Sequence, residues 1–195
     1  MKRAAEKERS TKETHIRLNL NIDGTGLSEI STGIPFFDHM LTLTSVHGFF
    51  DLVIKADGDV DVDSHHTVED VGLVFGDALT KALGDRQGIR RFGHAVTPMD
   101  DALAAVTVDL SNRPYVVFRL PPVAQARPDF NASLAKEFFR AVASRSGMNL
   151  HINVSYGENE HHILEAIFKG FGRAVDQASA RDERIAGVRS SKGSL

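Results

Sequence analysis

The chain has 195 residues, 42% hydrophobic and 25% charged, the balance of a folded globular protein rather than a disordered one. A net charge of −3 argues against a nucleic-acid partner, and the absence of cysteine excludes disulfides and thiolate metal sites. Apolar runs of only a few residues exclude a membrane span, and MKRAAEKERSTKET lacks the apolar core of a signal peptide, so a cytoplasmic location is expected.

In chain order, THIRLNLNID reads as the first strand, followed by a turn marked by Gly24 and Gly26. PFFDHMLTLTSVHG reads as a short helix, and FFDLVIKADGD as a strand ending in a glycine turn. From His65 the apolar residues Val68, Val71, Leu73, Phe75, Leu79 and Leu83 recur mainly at helical spacing. Ser64 or Asp63 can cap that helix, and LGDRQG ends it at Gly84. DALAAVTVDLS and PYVVFRL read as strands separated by a turn at Asn112-Arg113-Pro114, and Asp100 and Asp101 read as turn caps. NASLAKEFFRAVASRSG is a second short helix, MNLHINVSYGEN a strand, and HHILEAIFKGFGRAVDQA a second long helix.

The two long helices are copies. A displacement of 96 residues superposes His65, His66 and Glu69 on His161, His162 and Glu165, and Phe75, Gly76, Ala78 and Ala82 on Phe171, Gly172, Ala174 and Ala178. Each half therefore runs short helix, strand, turn, HH-helix. The expectation is a single α+β domain over 1–195, internally duplicated at about 1–92 and 93–195, with helices packed on one face of each sheet.

Residues four apart share a helix face, so His65 with Glu69, and His161 with Glu165, can each chelate one metal. Adjacent side chains point about 100° apart, so His66 and His162 must serve a different ion or partner. Two facing H-H-x-x-E segments give one ion His65, Glu69 and His162, and a second ion His161, Glu165 and His66. Imidazole with carboxylate and no thiolate suits manganese, iron or zinc. A dinuclear hydrolase or a non-catalytic metal-binding assembly protein would also use such pairs.

The motifs GIPFFDHML, DSHHTVEDVG, RFGHAVTPMDDALAAVTVDLSNRP, HHILEAIFKGFGRAVDQA and SSKGSL, in this order, resemble the imidazoleglycerol-phosphate dehydratase family of histidine biosynthesis. The resemblance implies a lyase that converts D-erythro-imidazole-glycerol phosphate to imidazole-acetol phosphate and water. It further implies two Mn2+ ions per active site and a homo-oligomeric 24-mer built from trimers, with sites at subunit interfaces. Metal ligands implied are His39, His65, His66, Glu69, His161, His162 and Glu165. Stretches His39–His47, His65–Glu69 and His161–Lys169 line the substrate site, which includes His47 and Lys169. Glu13 matches a substrate-contacting acid, and Arg91, Arg113, Ser191 and Lys192 match the groups holding the phosphate. Proton transfers are assigned to Glu13, Glu69 and Glu165. The chain departs from the family pattern at Asn112, where glycine is commoner, and at Arg189, where proline usually precedes SSKG. It departs also at Glu137, where many members carry a metal-binding histidine. The duplication pairs Glu137 with His39, which makes Glu137 the expected further ligand of the first ion; His151 is the rival.

Overall fold

In the computed structural model, which describes residues 3–122 and 127–195, the alternating apolar residues of the predicted strands line one face of two sheets. The first sheet contains β1 (Ala4–Ser10), β2 (Thr14–Asn21), β3 (Ser28–Ser31) and β4 (Asp51–Gly58), in the order β1-β2-β4-β3. The second contains β5 (Phe92–Met99), β6 (Ala102–Asp109), β7 (Tyr115–Arg119) and β8 (Asn149–Tyr156), in the order β5-β6-β8-β7. In each, the first three strands of that order are antiparallel and the fourth is parallel to its neighbour. The duplication is thus a duplication of topology. The strands β1, β3 and β5 lie outside the strands expected from the sequence.

Ile16, Leu18 and Leu20 of β2 are buried together with Leu52 and Ile54 of β4, and Val106 and Val108 of β6 with Leu150 and Ile152 of β8. Against these faces lie α1 (Pro35–Gly48) and α2 (His65–Leu83) in the first half, α3 (Ala132–Ser146) and α4 (Glu160–Ser179) in the second. Pro35 opens α1 where its missing N–H costs nothing, and Asn131 caps α3 by accepting the N–H groups of Ser133 and Leu134. The helices pair across the halves, α1 with α4 and α2 with α3, and both halves share one core. Phe37 stacks on Phe130 with centroids 4.8 Å apart, Phe138 on Phe168 at 5.6 Å, and Phe139 meets Phe171 edge-on at 5.1 Å. Burying each such side chain stabilises by about 1.5–3 kcal/mol.

The repeated Phe-Gly pairs explain how the helices come so close. A Cβ on Gly172 of α4 would stand 2.4 Å from the Thr44 carbonyl oxygen of α1. Its counterpart on Gly76 of α2 would stand 2.7 Å from the Val142 carbonyl oxygen of α3. Both helix crossings therefore require glycine, and both fix the helices that carry the HH pairs. The halves differ in the connection entering the HH-helix: residues 59–64 precede α2, whereas residues 157–159 suffice before α4.

Candidate metal centre and phosphate cavity

At the start of α4 the Asn159 side chain accepts the N–H of His161 at 3.0 Å, and at the start of α2 Asp63 does the same for His65. Each cap sets its histidine pair on the first helical turn, with the glutamate one turn on. Helix α1 of the first half then delivers His39 to α4 of the second. His39 Nε2 lies 2.9 Å from Glu165 Oε1, and His161 Nε2 lies 3.0 Å from the same oxygen. The other carboxylate oxygen accepts from Lys169 Nζ at 2.6 Å. Burial works to raise the Glu165 pKa, but the bonds from Lys169, His39 and His161 prevail and hold it at about 2. One donor atom from each of His39, His161 and Glu165 lies within 4.8 Å of the others, close enough to ligate one cation.

The twin arrangement on α2 is looser. His65 Nε2 stands 3.7 Å from Glu69 Oε2, and no third donor joins them among the described residues of one chain. Glu137 sits on α3, which packs on α2 as α1 packs on α4, and accepts from Arg140 Nη1 at 2.9 Å. His151 follows buried Leu150 on β8 and lies on the opposite face of the sheet, away from the helices, its ring 6.3 Å from that of Tyr115.

The rings of His66 and His162 stand nearly perpendicular to those of their neighbours, at 84° and 79°, and bond to other partners. His66 Nδ1 lies 3.0 Å from Asp59 and 3.8 Å from Glu13; the Asp59 bond raises the His66 pKa. His162 Nδ1 bonds to Asp101, whose second oxygen accepts the N–H groups of Glu158 and Asn159 at 2.6 and 3.1 Å. The His162 bond and those backbone bonds hold the Asp101 carboxyl far below the usual range. Asp101 therefore caps the remote turn into α4 rather than its own turn, and is a histidine partner as well. Asp59 was not anticipated. It lies in a charged connection, DGDVDVDS, where nothing in the pattern separates it from Asp57, Asp61 and Asp63.

Arg91, Arg113, Ser191 and Lys192 line one cavity of about 300 Å³ together with Ser111 and Asn112. Arg91 forks onto Asp109 at 2.7 and 3.1 Å and donates to the Arg189 carbonyl at 2.7 Å. The C-terminal tail is thereby folded back onto the body, and Ser190 Oγ accepts the Lys192 N–H at 3.2 Å. Asn112 has a φ of 58°, a left-handed conformation that asparagine tolerates in place of glycine. His47 stands elsewhere, in a cavity of about 430 Å³ with His94, Arg173 and Asp176. Burial and the charges of Lys169 and Arg173 lower its pKa. The Arg91 N–H bonds to the Ala178 carbonyl at the far end of α4. At 1.5 Å per residue this end is roughly 25 Å from His161.

The family model for imidazoleglycerol-phosphate dehydratase matches residues 32–175. The imidazoleglycerol-phosphate dehydratase of Desulfosudis oleivorans is 57% identical over 195 residues, covering 100% of both chains. That of Syntrophobacter fumaroxidans is 59% identical over 188 residues, covering 96% of this chain and 95% of its own. The crystal structure of the Pyrococcus furiosus enzyme in complex with (S)-C348 superposes with a TM-score of 0.85 at 40% identity, covering 97% of this chain and 100% of that one. The Staphylococcus aureus enzyme gives 0.82 at 36% identity, covering 92% and 99%. A duplicated α+β fold shared with the solved structures, together with 57% and 59% identity to dehydratases over nearly the whole chain, defines a dehydratase. The chain belongs to the imidazoleglycerol-phosphate dehydratase family of histidine biosynthesis.

Proposed function

We propose that the chain dehydrates D-erythro-imidazole-glycerol phosphate to imidazole-acetol phosphate and water, with two Mn2+ ions per active site. The observation that carries the reading is the cluster of His39, His161 and Glu165, assembled from both halves with its donor atoms mutually within 4.8 Å. Its chemistry fits the ion: imidazoles and a carboxylate held ionised, with no thiolate in the chain to favour a softer metal. Among the described residues no helix is long and apolar enough to cross a membrane, which agrees with a cytoplasmic place for the enzyme.

The substrate has no carbonyl to acidify its C2 proton. Manganese held by His39, His161 and Glu165 and by the His65–Glu69 pair would act as a Lewis acid that acidifies the substrate's imidazole, so that the ring could donate electron density as the C3 hydroxyl leaves and take it back as the C2 proton is removed. The chain's own groups do the rest. Glu13, Glu69 and Glu165 are the acids placed to move protons; Lys169 holds Glu165 ionised and oriented. Arg91, Arg113, Ser191 and Lys192 grip the phosphate in the cavity they share, with charge-assisted bonds. The proton taken from C2 and the hydroxyl lost from C3 leave together as water, and the resulting enol gives the ketone.

Two features favour sites built between copies in a homo-oligomer, of which the 24-mer is the proposed form. The metal cluster and the phosphate cavity of one chain lie at opposite ends of α4, roughly 25 Å apart, further than this substrate reaches. His66 and His162 also stand outside the three-donor cluster of their own chain, as donors to another copy would. Glu137, the counterpart of His39, is the proposed further ligand at the His65–Glu69 ion, on release from Arg140. Incubating the manganese-loaded protein with imidazole-glycerol phosphate tests the whole: the ketone must form, and hydrolysis of the phosphate ester instead would favour a dinuclear hydrolase.

A further inference from the structure

A histidine adjacent to a ligand pair has two ring nitrogens and, when neutral, one proton. Which nitrogen keeps the proton decides which one can hold a metal, and a partner on the other side decides the matter. In this chain both second histidines of the HH pairs have a carboxylate at Nδ1: Asp59 at 3.0 Å from His66, and Asp101 on His162. The first histidines, His65 and His161, instead present Nε2 to Glu69 and Glu165. We propose that Asp59 and Asp101 are positioning residues, which keep the proton on Nδ1 of His66 and His162 and so present Nε2 as the metal donor. The proposal rests on the dimanganese reading above and deepens it.

The strongest support is that the two halves fill this position from unrelated places. Glu6 faces Asn19 across β1 and β2 as His94 faces Thr107 across β5 and β6. The same displacement carries Glu13 onto Asp101. Simple inheritance of the duplication would make Glu13 the partner of His66, yet it stands off at 3.8 Å. The bond comes from Asp59 instead, in the longer connection that only the first half has. A carboxylate at Nδ1 has thus been reached twice by different routes, as expected if the ring orientation is what matters. Glu13 is left free of that task and available to the substrate. At His162 the exposed Asp100 carboxylate also approaches Nε2, at 3.4 Å, and must swing aside for an ion to bind.

The test uses Asp59→Asn and Asp101→Asn, which preserve shape and remove charge. The Asp59 carboxylate bonds only to His66 among the described residues, so its variant tests the idea without disturbing a turn. Asp101 also caps the turn into α4, and the melting temperature of the metal-free protein monitors that burden. Manganese alone is titrated into chelator-stripped full-length protein by calorimetry. The expected result is two ions on the unaltered chain, with one of the two bound about 10–100-fold more weakly in each variant and the melting temperature of metal-free Asp59→Asn unchanged. Two ions bound with unaltered affinity in both variants would overturn the positioning role and leave the dimetal site standing. Failure of the unaltered chain to bind any ion would remove the dimetal reading and this one with it.

Discussion

Replacing Gly172 by alanine connects the fold to the metal centre. The new Cβ would lie 2.4 Å from the Thr44 carbonyl oxygen and 3.0 Å from the Gly48 nitrogen, both backbone atoms that no rotamer change can move. Helices α1 and α4 must separate by about 1 Å to restore ordinary contact, and overpacking of this kind costs about 1–3 kcal/mol. Alanine recovers about 1 kcal/mol of helix propensity, so a net loss is expected. A net loss of about 1 kcal/mol in a chain of this length lowers the melting temperature of the metal-free protein by about 2–4 °C. The same separation draws His39 on α1 away from Glu165 on α4, 2.9 Å apart before the change, and should weaken one manganese ion. Gly76→Ala, at the twin crossing of α2 and α3, should weaken the other ion instead. Thermal unfolding and metal titration of the two variants supply both readings. A Gly172→Ala protein that melts higher, with both ions undisturbed, would refute the account of the crossing.

Chelation should break the proposed 24-mer into much smaller species, because ligands contributed by different copies would lose their common ion; light scattering that shows an unchanged particle counts against interfacial sites. Lys192→Ala should raise KM for the phosphorylated substrate by about 10–100-fold, the loss of one charge-assisted bond of roughly 1.5–3 kcal/mol, with metal content unaltered; an unchanged KM and kcat would mean the tail does not hold phosphate. Glu137→Ala should cost one bound ion by elemental analysis and His151→Ala none, and the reverse outcome would transfer the ligand role to His151.

Much of this was legible in the sequence because duplication prints a pattern twice. PFFDHMLTLTSVHG is α1 from end to end, and β2, β4, β6, β7 and β8 lie within their expected segments. The missed strands lack the signal on which strand reading depends. In β1, AAEKERS, only Ala5 is fully buried, since an edge strand over a helix needs little apolar surface. The four residues of β3 are too short for a period, and β5 mixes Gly93 and Pro98 into its alternation. The residues that match the family's phosphate-holding groups are convergent in space but scattered in sequence, so family motifs pointed to them and periodicity could not. His47 was joined to the substrate through the family resemblance alone; within one chain it lines a different cavity from Arg91, Arg113 and Lys192. Asp59 was invisible because one carboxylate among several in a loop becomes distinctive only when a ring nitrogen stands beside it.

The length of α4 has a consequence for how damage is shared. If each active site draws its metal cluster from one copy and its phosphate cavity from another, an inactive chain does not simply dilute a mixed particle. Chains altered only at Lys192 are impaired in the cavity beside the C-terminal end of α4, and chains altered only at His161 in the cluster at its start. Coassembled, they form some sites in which both defects meet and others in which neither does, so two impaired proteins yield some fully working sites. The same arithmetic lets one defective chain impair sites on more than one neighbour, and a population carrying two forms of the gene would show either rescue or interference, according to which end each form has lost.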